Sequence, residues 1–251
     1  MTAMNKVRAH ISAISMFFVL GISSPHLAEA GELHEAAKAG DIVRVKAALL
    51  SGADVNELDL YGSALHLAAA FGSIEITKAL IEAGANLEAE GDPARAHPLH
   101  VAAQSNQAEV AKLLVERGAQ VNARDGEGRT PLIVAAVNDK IDVAKVLVSH
   151  GADPKAPDTV YGDTPLHHAA FWGDSTLGAL LITSGADVNA RSLLNGQTPL
   201  FYAAHHGKVE FVKLLVANGA DVTVKDKSGE NALKMAVDPA RELLRSLGLK
   251  E

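Results

Sequence analysis

The chain has no cysteine, and only ten of its 251 residues are aromatic: six Phe, three Tyr and one Trp. Without thiols it cannot build a cysteine zinc site, a thiol active site or an iron–sulfur cluster, and an oxidising compartment cannot mispair it. Basic residues are outnumbered, 23 Lys and Arg against 30 Asp and Glu, for a formal charge of −7. That balance argues against nucleic acid as the main partner, because phosphate binding needs a basic face to release counterions. A long apolar run is also missing: Ile11 to Ile22 is twelve residues, whereas a bilayer-spanning helix needs about 20. What the chain does have is 48% hydrophobic residues, nearly all aliphatic, which excludes a disordered chain and a disulfide scaffold.

The short run at the start reads as an export signal. Lys6 and Arg8 precede it, Ser23, Ser24, Pro25 and His26 break it, and Ala28-Glu29-Ala30 supplies small residues where a signal peptidase reads. Residues 1–30 are therefore expected to be a signal peptide cleaved after Ala30, with no membrane span left in the mature chain. That segment holds Lys6, Arg8 and Glu29, so removing its net +1 from −7 leaves the product at −8. A periplasmic or secreted location follows as the expectation.

Everything after the signal is periodic. The leucine of a Thr-Pro-Leu-His-like tetrad recurs at Leu33, Leu65, Leu99, Leu132, Leu166, Leu200 and Leu233, a spacing of 32 to 34 residues. A Gly-Ala-Asp-like end signal keeps step at Gly52, Gly84, Gly118, Gly151, Gly185 and Gly219, with an echo at Gly248. Within one unit, Thr164 can cap a helix and Pro165 suits its first position. Leu166, Ala169 and Ala170 then make a narrow face for close stacking. A second helix is expected from about Thr176, ended by Gly185, with Leu180-Leu181 facing the first helix. Matching aliphatic pairs stand at Leu49-Leu50, Leu80-Ile81, Leu113-Leu114, Val146-Leu147, Leu214-Leu215 and Leu243-Leu244. A single helix pair cannot bury both faces, but a stack of pairs can.

These residues give the chain its resemblance to ankyrin-repeat proteins: Thr130-Pro131-Leu132, Thr164-Pro165-Leu166-His167 with Ala169-Ala170, Thr198-Pro199-Leu200, and Gly185 to Asn189. The resemblance spans residues 31–251. It implies an all-α solenoid of about seven helix-turn-helix repeats, the terminal ones acting as caps, with β-hairpin-like turns. The approximate repeats are 31–60, 61–92, 93–125, 126–158, 159–192, 193–226 and 227–251. Residues 88–98 depart from the pattern, with an extra residue and no Gly-x-Thr.

The resemblance further implies a non-enzymatic module that binds a protein partner through turn tips and the exposed face of its first helices. In such a stack the two residues after each Ala-Ala pair enter a concave groove, which nominates Phe71, Asn138, Phe171, Trp172, His205 and His206. The turn tips add Tyr61, Tyr161, Leu193 and Leu194, along with Leu60 and Val160. Clustered apolar and aromatic groups on a water-exposed face are the usual mark of an interaction site. The acidic remainder of the surface favours a basic or neutral apolar partner, and the capped solenoid is expected to be a monomer. A secreted effector acting on host proteins shares the same signal and fold.

Eleven histidines raise a metal or metal-dependent enzyme reading through His168, His205 and His206. His34, His66, His100 and His167 are set apart from that set, because the resemblance gives the tetrad ring a backbone hydrogen bond between neighbouring turns. Neither first helix carries an acid at ligand spacing, so no metal ligand, catalytic residue or cofactor is assigned. His34-Glu35-Ala36-Ala37-Lys38 has lysine where the zinc-protease helix needs its second histidine, and no nucleophile elbow, phosphate loop or dinucleotide fingerprint occurs. Asp125 and Glu127 read as water-exposed carboxylates on a turn tip, without the pocket that acid catalysis needs.

Overall fold

The sequence phase becomes seven helix pairs in the computed structural model, which describes residues 31–91 and 94–249. The first helices are α1 (Glu32–Lys38), α3 (Ala64–Phe71), α5 (Pro98–Gln104), α7 (Pro131–Val137), α9 (Pro165–Trp172), α11 (Pro199–His205) and α13 (Ala232–Met235). Their partners are α2 (Ile42–Leu50), α4 (Ile74–Glu82), α6 (Ala108–Glu116), α8 (Ile141–Ser149), α10 (Ser175–Thr183), α12 (Val209–Ala217) and α14 (Ala240–Ser246). Each first helix packs on its own partner and on the first helices before and after it, and each second helix on its neighbours in the same way. The fold is all-α, as expected. The connecting fingers carry isolated antiparallel bridges, Asp59 with Gly62, Gly91 with Ala96 and Lys225 with Asn231. The signal segment, residues 1–30, lies outside the described residues. Among the described residues no helix is long and apolar enough to cross a membrane.

Small side chains set the spacing. Ala36, Ala68, Ala102, Ala135, Ala169 and Ala203 recur at one position of the first helices and are all buried, so the backbones approach closely and the aliphatic residues of the second helices close the core. Six second helices carry a fully buried leucine, Leu80, Leu114, Leu147, Leu181, Leu215 and Leu244, and α10 adds Leu177. The first pair departs from the expectation. Ala48 takes the buried position in α2 and Leu50 is 90% exposed, so the inward pair is Ala48-Leu49, one residue earlier than the Leu49-Leu50 reading. Helix α10 starts at Ser175 with Asp174 as its cap, its carboxylate accepting from the N–H groups of Thr176 and Leu177. Gly185 ends the unit at φ +100°, a conformation that L side chains rarely adopt.

Two polar devices tie one repeat to the next. The tetrad histidines place Nε2 against a carbonyl of the following finger: His34 on Gly62 (3.2 Å), His66 on Ala96 (2.9 Å), His100 on Arg129 (2.9 Å) and His167 on Gln197 (3.2 Å). This is the role the resemblance implied. In three of them Nδ1 accepts a backbone N–H at the helix start, from Ser63, His97 and Thr164. With Nδ1 an acceptor, Nε2 must carry the proton, and the neutral ring is the form that fits. Desolvation by burial accordingly pushes His66 and His167 below the usual imidazole range and His100 down to about 4. The second device is an asparagine after the Gly-Ala-Asp run. Asn56 donates to the carbonyl of Gly84 and accepts from the Asn86 N–H; Asn122 bridges Gly151 and Asp153, and Asn189 bridges Gly219 and Asp221, in the same way.

Candidate binding surface

Four of the nominated groove residues meet in one place. Helix α9 ends with Phe171 and Trp172, whose rings stand 5.1 Å apart and nearly perpendicular, a favourable edge-to-face arrangement. Across the repeat boundary Phe171 lies 4.2 Å from the His206 ring, which is 4.9 Å from that of His205 at the end of α11. Trp172 is 42% exposed, whereas Phe171, His205 and His206 are half-buried. The cluster thus holds an indole outward on a base of packed rings. His205 Nδ1 also reaches the carbonyl of Met235 (3.3 Å), which pins that ring to the last repeat.

The other nominated residues lie elsewhere. Phe71 ends α3 and is 49% exposed. Asn138 caps α7, donating its amide to the Val134 carbonyl (2.8 Å). Tyr161 and Leu194 sit on adjacent turn tips, where the Leu194 N–H donates to the Tyr161 carbonyl (3.0 Å), and Leu193 and Leu194 are exposed beside them. Tyr61 is half-buried, with the Lys38 ammonium 6.0 Å from its ring centre. Leu60 and Val160 are exposed on the tips, as expected, and Leu58 joins them. Phe201, by contrast, is core.

Charged groups in the fingers differ from the sequence reading. Asp125 is buried, not water-exposed: its Oδ2 pairs with Arg129 Nη2 and Nε, each at 2.8 Å, and its Oδ1 accepts the N–H groups of Glu127 and Arg129. The finger at residues 88–98, whose form the sequence left open, closes through the Gly91–Ala96 bridge and the Glu90–Arg95 ion pair at 2.6 Å. The histidine set His168, His205 and His206 does not converge. Among the described residues, the one group of three metal-capable side chains with ligand atoms within 4.8 Å of one another is Asp158, Asp163 and His168.

That group is a product of the fourth-to-fifth finger. Asp158 Oδ1 accepts the N–H groups of Val160, Tyr161 and Gly162, at 2.7 to 3.1 Å, and Oδ2 lies 3.2 Å from His168 Nε2. Burial raises the Asp158 pKa, but the hydrogen bonds from His168 and from the backbone of Tyr161 and Gly162 outweigh it and hold the carboxyl below its usual range. Tyr202, from the next repeat, donates its hydroxyl to Asp163 Oδ2 at 2.7 Å. Burial first, and Asp163 second, push the Tyr202 phenol above its ordinary value, so it remains a neutral donor. Both acids come from the turn ahead of α9, outside the first helices that carry the histidines. Asp163, five residues before His168, was the available signal.

The chain matches the family described as ankyrin repeats (3 copies) over residues 33–125, 121–192 and 175–248. It belongs to the ankyrin-repeat family. The scaffold is generally non-catalytic and typically serves as a protein–protein interaction module. Two solved structures are similar. The ankyrin repeat domain of Bcl-3, a member of the IkappaB protein family, is 27% identical, with 86% of this chain and 98% of that chain covered and a TM-score of 0.75. The human ASB11 ankyrin repeat domain is also 27% identical, with 88% and 99% covered and a TM-score of 0.76. No curated protein matches the chain.

Proposed function

We propose that this chain is an exported, non-enzymatic binding module that holds a protein partner on the ends of its first helices and on its turn tips. The observation that carries the reading is the Phe171–Trp172–His206 cluster, which joins two repeats and leaves the single tryptophan 42% exposed. A packed aromatic platform with an outward indole has the composition of an interface hot spot. Phe71 and the Tyr161, Leu193 and Leu194 tips extend the same apolar character along the stack. The acidic balance elsewhere favours a basic or neutral apolar partner. Export rests on the basic start, the twelve-residue apolar run and Ala28-Glu29-Ala30.

The test is quantitative capture from the native compartment by the parent chain and by a Phe171→Ala, Trp172→Ala variant. Recovery of a specific partner should fall at least tenfold, about 1.4 kcal/mol or more, with the far-UV spectrum unchanged. Equal recovery by both would remove the site assignment. Amino-terminal sequencing of the fractionated protein tests export separately: a mature chain starting at Gly31 outside the cytoplasm supports it, and a cytoplasmic chain starting at Met1 overturns it.

A further inference from the structure

We propose that Asp158, Asp163 and His168 form a binding site for one divalent transition-metal ion of the zinc class. The internal repeat exposes what is unusual here. One repeat earlier, Arg129 stands just before the capping Thr130, and its guanidinium neutralises the buried turn aspartate Asp125. In the next copy Asp158 is the turn aspartate, but the residue just before the capping Thr164 is Asp163. A carboxylate has taken the place of the cation. Asp158 and Asp163 are 4% and 5% exposed, and among the described residues no Lys or Arg pairs with either. One imidazole cannot balance two buried carboxylates, and burying unbalanced charge is costly.

An independent observation points to a ligand. Tyr202 occupies only Oδ2 of Asp163, and Oδ1 is buried with no hydrogen-bond partner. Buried polar atoms are rarely left so. The donor set, two carboxylate oxygens and an imidazole nitrogen, suits zinc and leaves a fourth position for water. One pair already has ligand spacing, and the Asp163 carboxylate brings a ligand atom within 4.8 Å of both. Two ligands at about 2.0 Å from a tetrahedral ion stand about 3.3 Å apart, and Asp158 Oδ2 and His168 Nε2 are 3.2 Å apart. The three backbone N–H groups on Asp158 Oδ1 and the Tyr202 hydroxyl on Asp163 fix the carboxylates, as outer hydrogen bonds do in metal sites. His168 is only partly buried, which gives the ion a way in.

The experiment is calorimetric titration of tag-free, chelator-treated full chain with Zn2+ alone, alongside thermal denaturation with and without the ion. The parent should bind one equivalent saturably and melt at a higher temperature with zinc. Asp163→Asn, which keeps the shape and the Tyr202 contact, should weaken binding by at least about tenfold and lose the thermal shift. His168→Gln should do the same and stands in if Asp163→Asn does not fold. A His205→Ala, His206→Ala variant should retain the site. Absence of saturable binding by the parent, equal binding by parent and Asp163→Asn, or loss in the His205 and His206 variant alone would each overturn the proposal.

Discussion

Acidifying the solution should begin to weaken the stack through its tetrad histidines, from about pH 6.5 downward, before most of its carboxylates protonate. His100 is the sharpest case. Its Nε2–H donates to the Arg129 carbonyl and its Nδ1 accepts the His97 N–H, so a second ring proton would face a donor. Burial lowers its pKa to about 4, while the unfolded chain titrates near 6.5. Between those values the unfolded state binds the extra proton and the native state does not, so stability falls as pH falls. The contribution is intact above about pH 6.5, drops by about 1.4 kcal/mol for each pH unit below it, and is lost by about pH 4, for about 3 kcal/mol in all. His66 and His167 shift in the same direction and steepen the slope. Asp158 and Asp226, whose carboxyl pKa values are lowered, act only at lower pH. Urea midpoints followed by circular dichroism between about pH 7.5 and 4.5 measure the slope. His100→Gln, which does not titrate, should start less stable and lose less on acidification. A flat parent profile, or a parallel fall in the variant, would refute the tautomer argument.

Gly178 lies inside α10, where alanine is the better helix former by about 1 kcal/mol. A Cβ there would stand 2.5 Å from Phe211 Cε2 and 2.9 Å from Leu214 Cδ2, and Phe211 is fully buried. Gly178→Ala should therefore lower stability by about 1–3 kcal/mol, read as a fall in the melting temperature. Arg129→Ala leaves the buried Asp125 carboxylate without its cation and should cost about 3 kcal/mol in denaturant unfolding. Adding Asp125→Asn should recover part of that loss.

The repeat phase was legible because two unrelated signals, the tetrad leucine and the terminal glycine, had to stay in register for the helices to stack. The tetrad histidines were legible for the same reason, through family resemblance. Leu50 was not, since two adjacent leucines leave a one-residue ambiguity that only the packing of Ala48 against its neighbours resolves. The aromatic cluster was half visible: Phe171 and Trp172 are adjacent in sequence, but their junction with His206 depends on how α9 and α11 stack. Asp125 misled because turn residues are usually solvated, and here Arg129 folds back over its carboxylate. Asp158 and Asp163 were hidden by one extra residue in their turn. Four positions separate Asp158 from Gly162, against three from Asp125 to Gly128.

The cross-repeat ties are not evenly distributed. Histidine and asparagine both bridge from the first repeat to the second, from the third to the fourth and from the fifth to the sixth. From the second to the third, Glu88 replaces asparagine and still accepts the Gln120 N–H. From the fourth to the fifth, Ile133 stands in the histidine position and Lys155 in the asparagine position, and among the described residues neither tie is made. The seam there combines apolar packing of α7 on α9, which is non-directional, with the Thr159 hydroxyl and N–H donating to the Glu127 carbonyl. In a nearest-neighbour description of a linear array, a junction without the histidine and asparagine ties loses those two directional contributions to its coupling term. The side-chain ladder is then continuous over repeats one to four, resumes between five and six, and is interrupted after the fourth and after the sixth repeat, where Phe201 and Thr223 stand in the two positions.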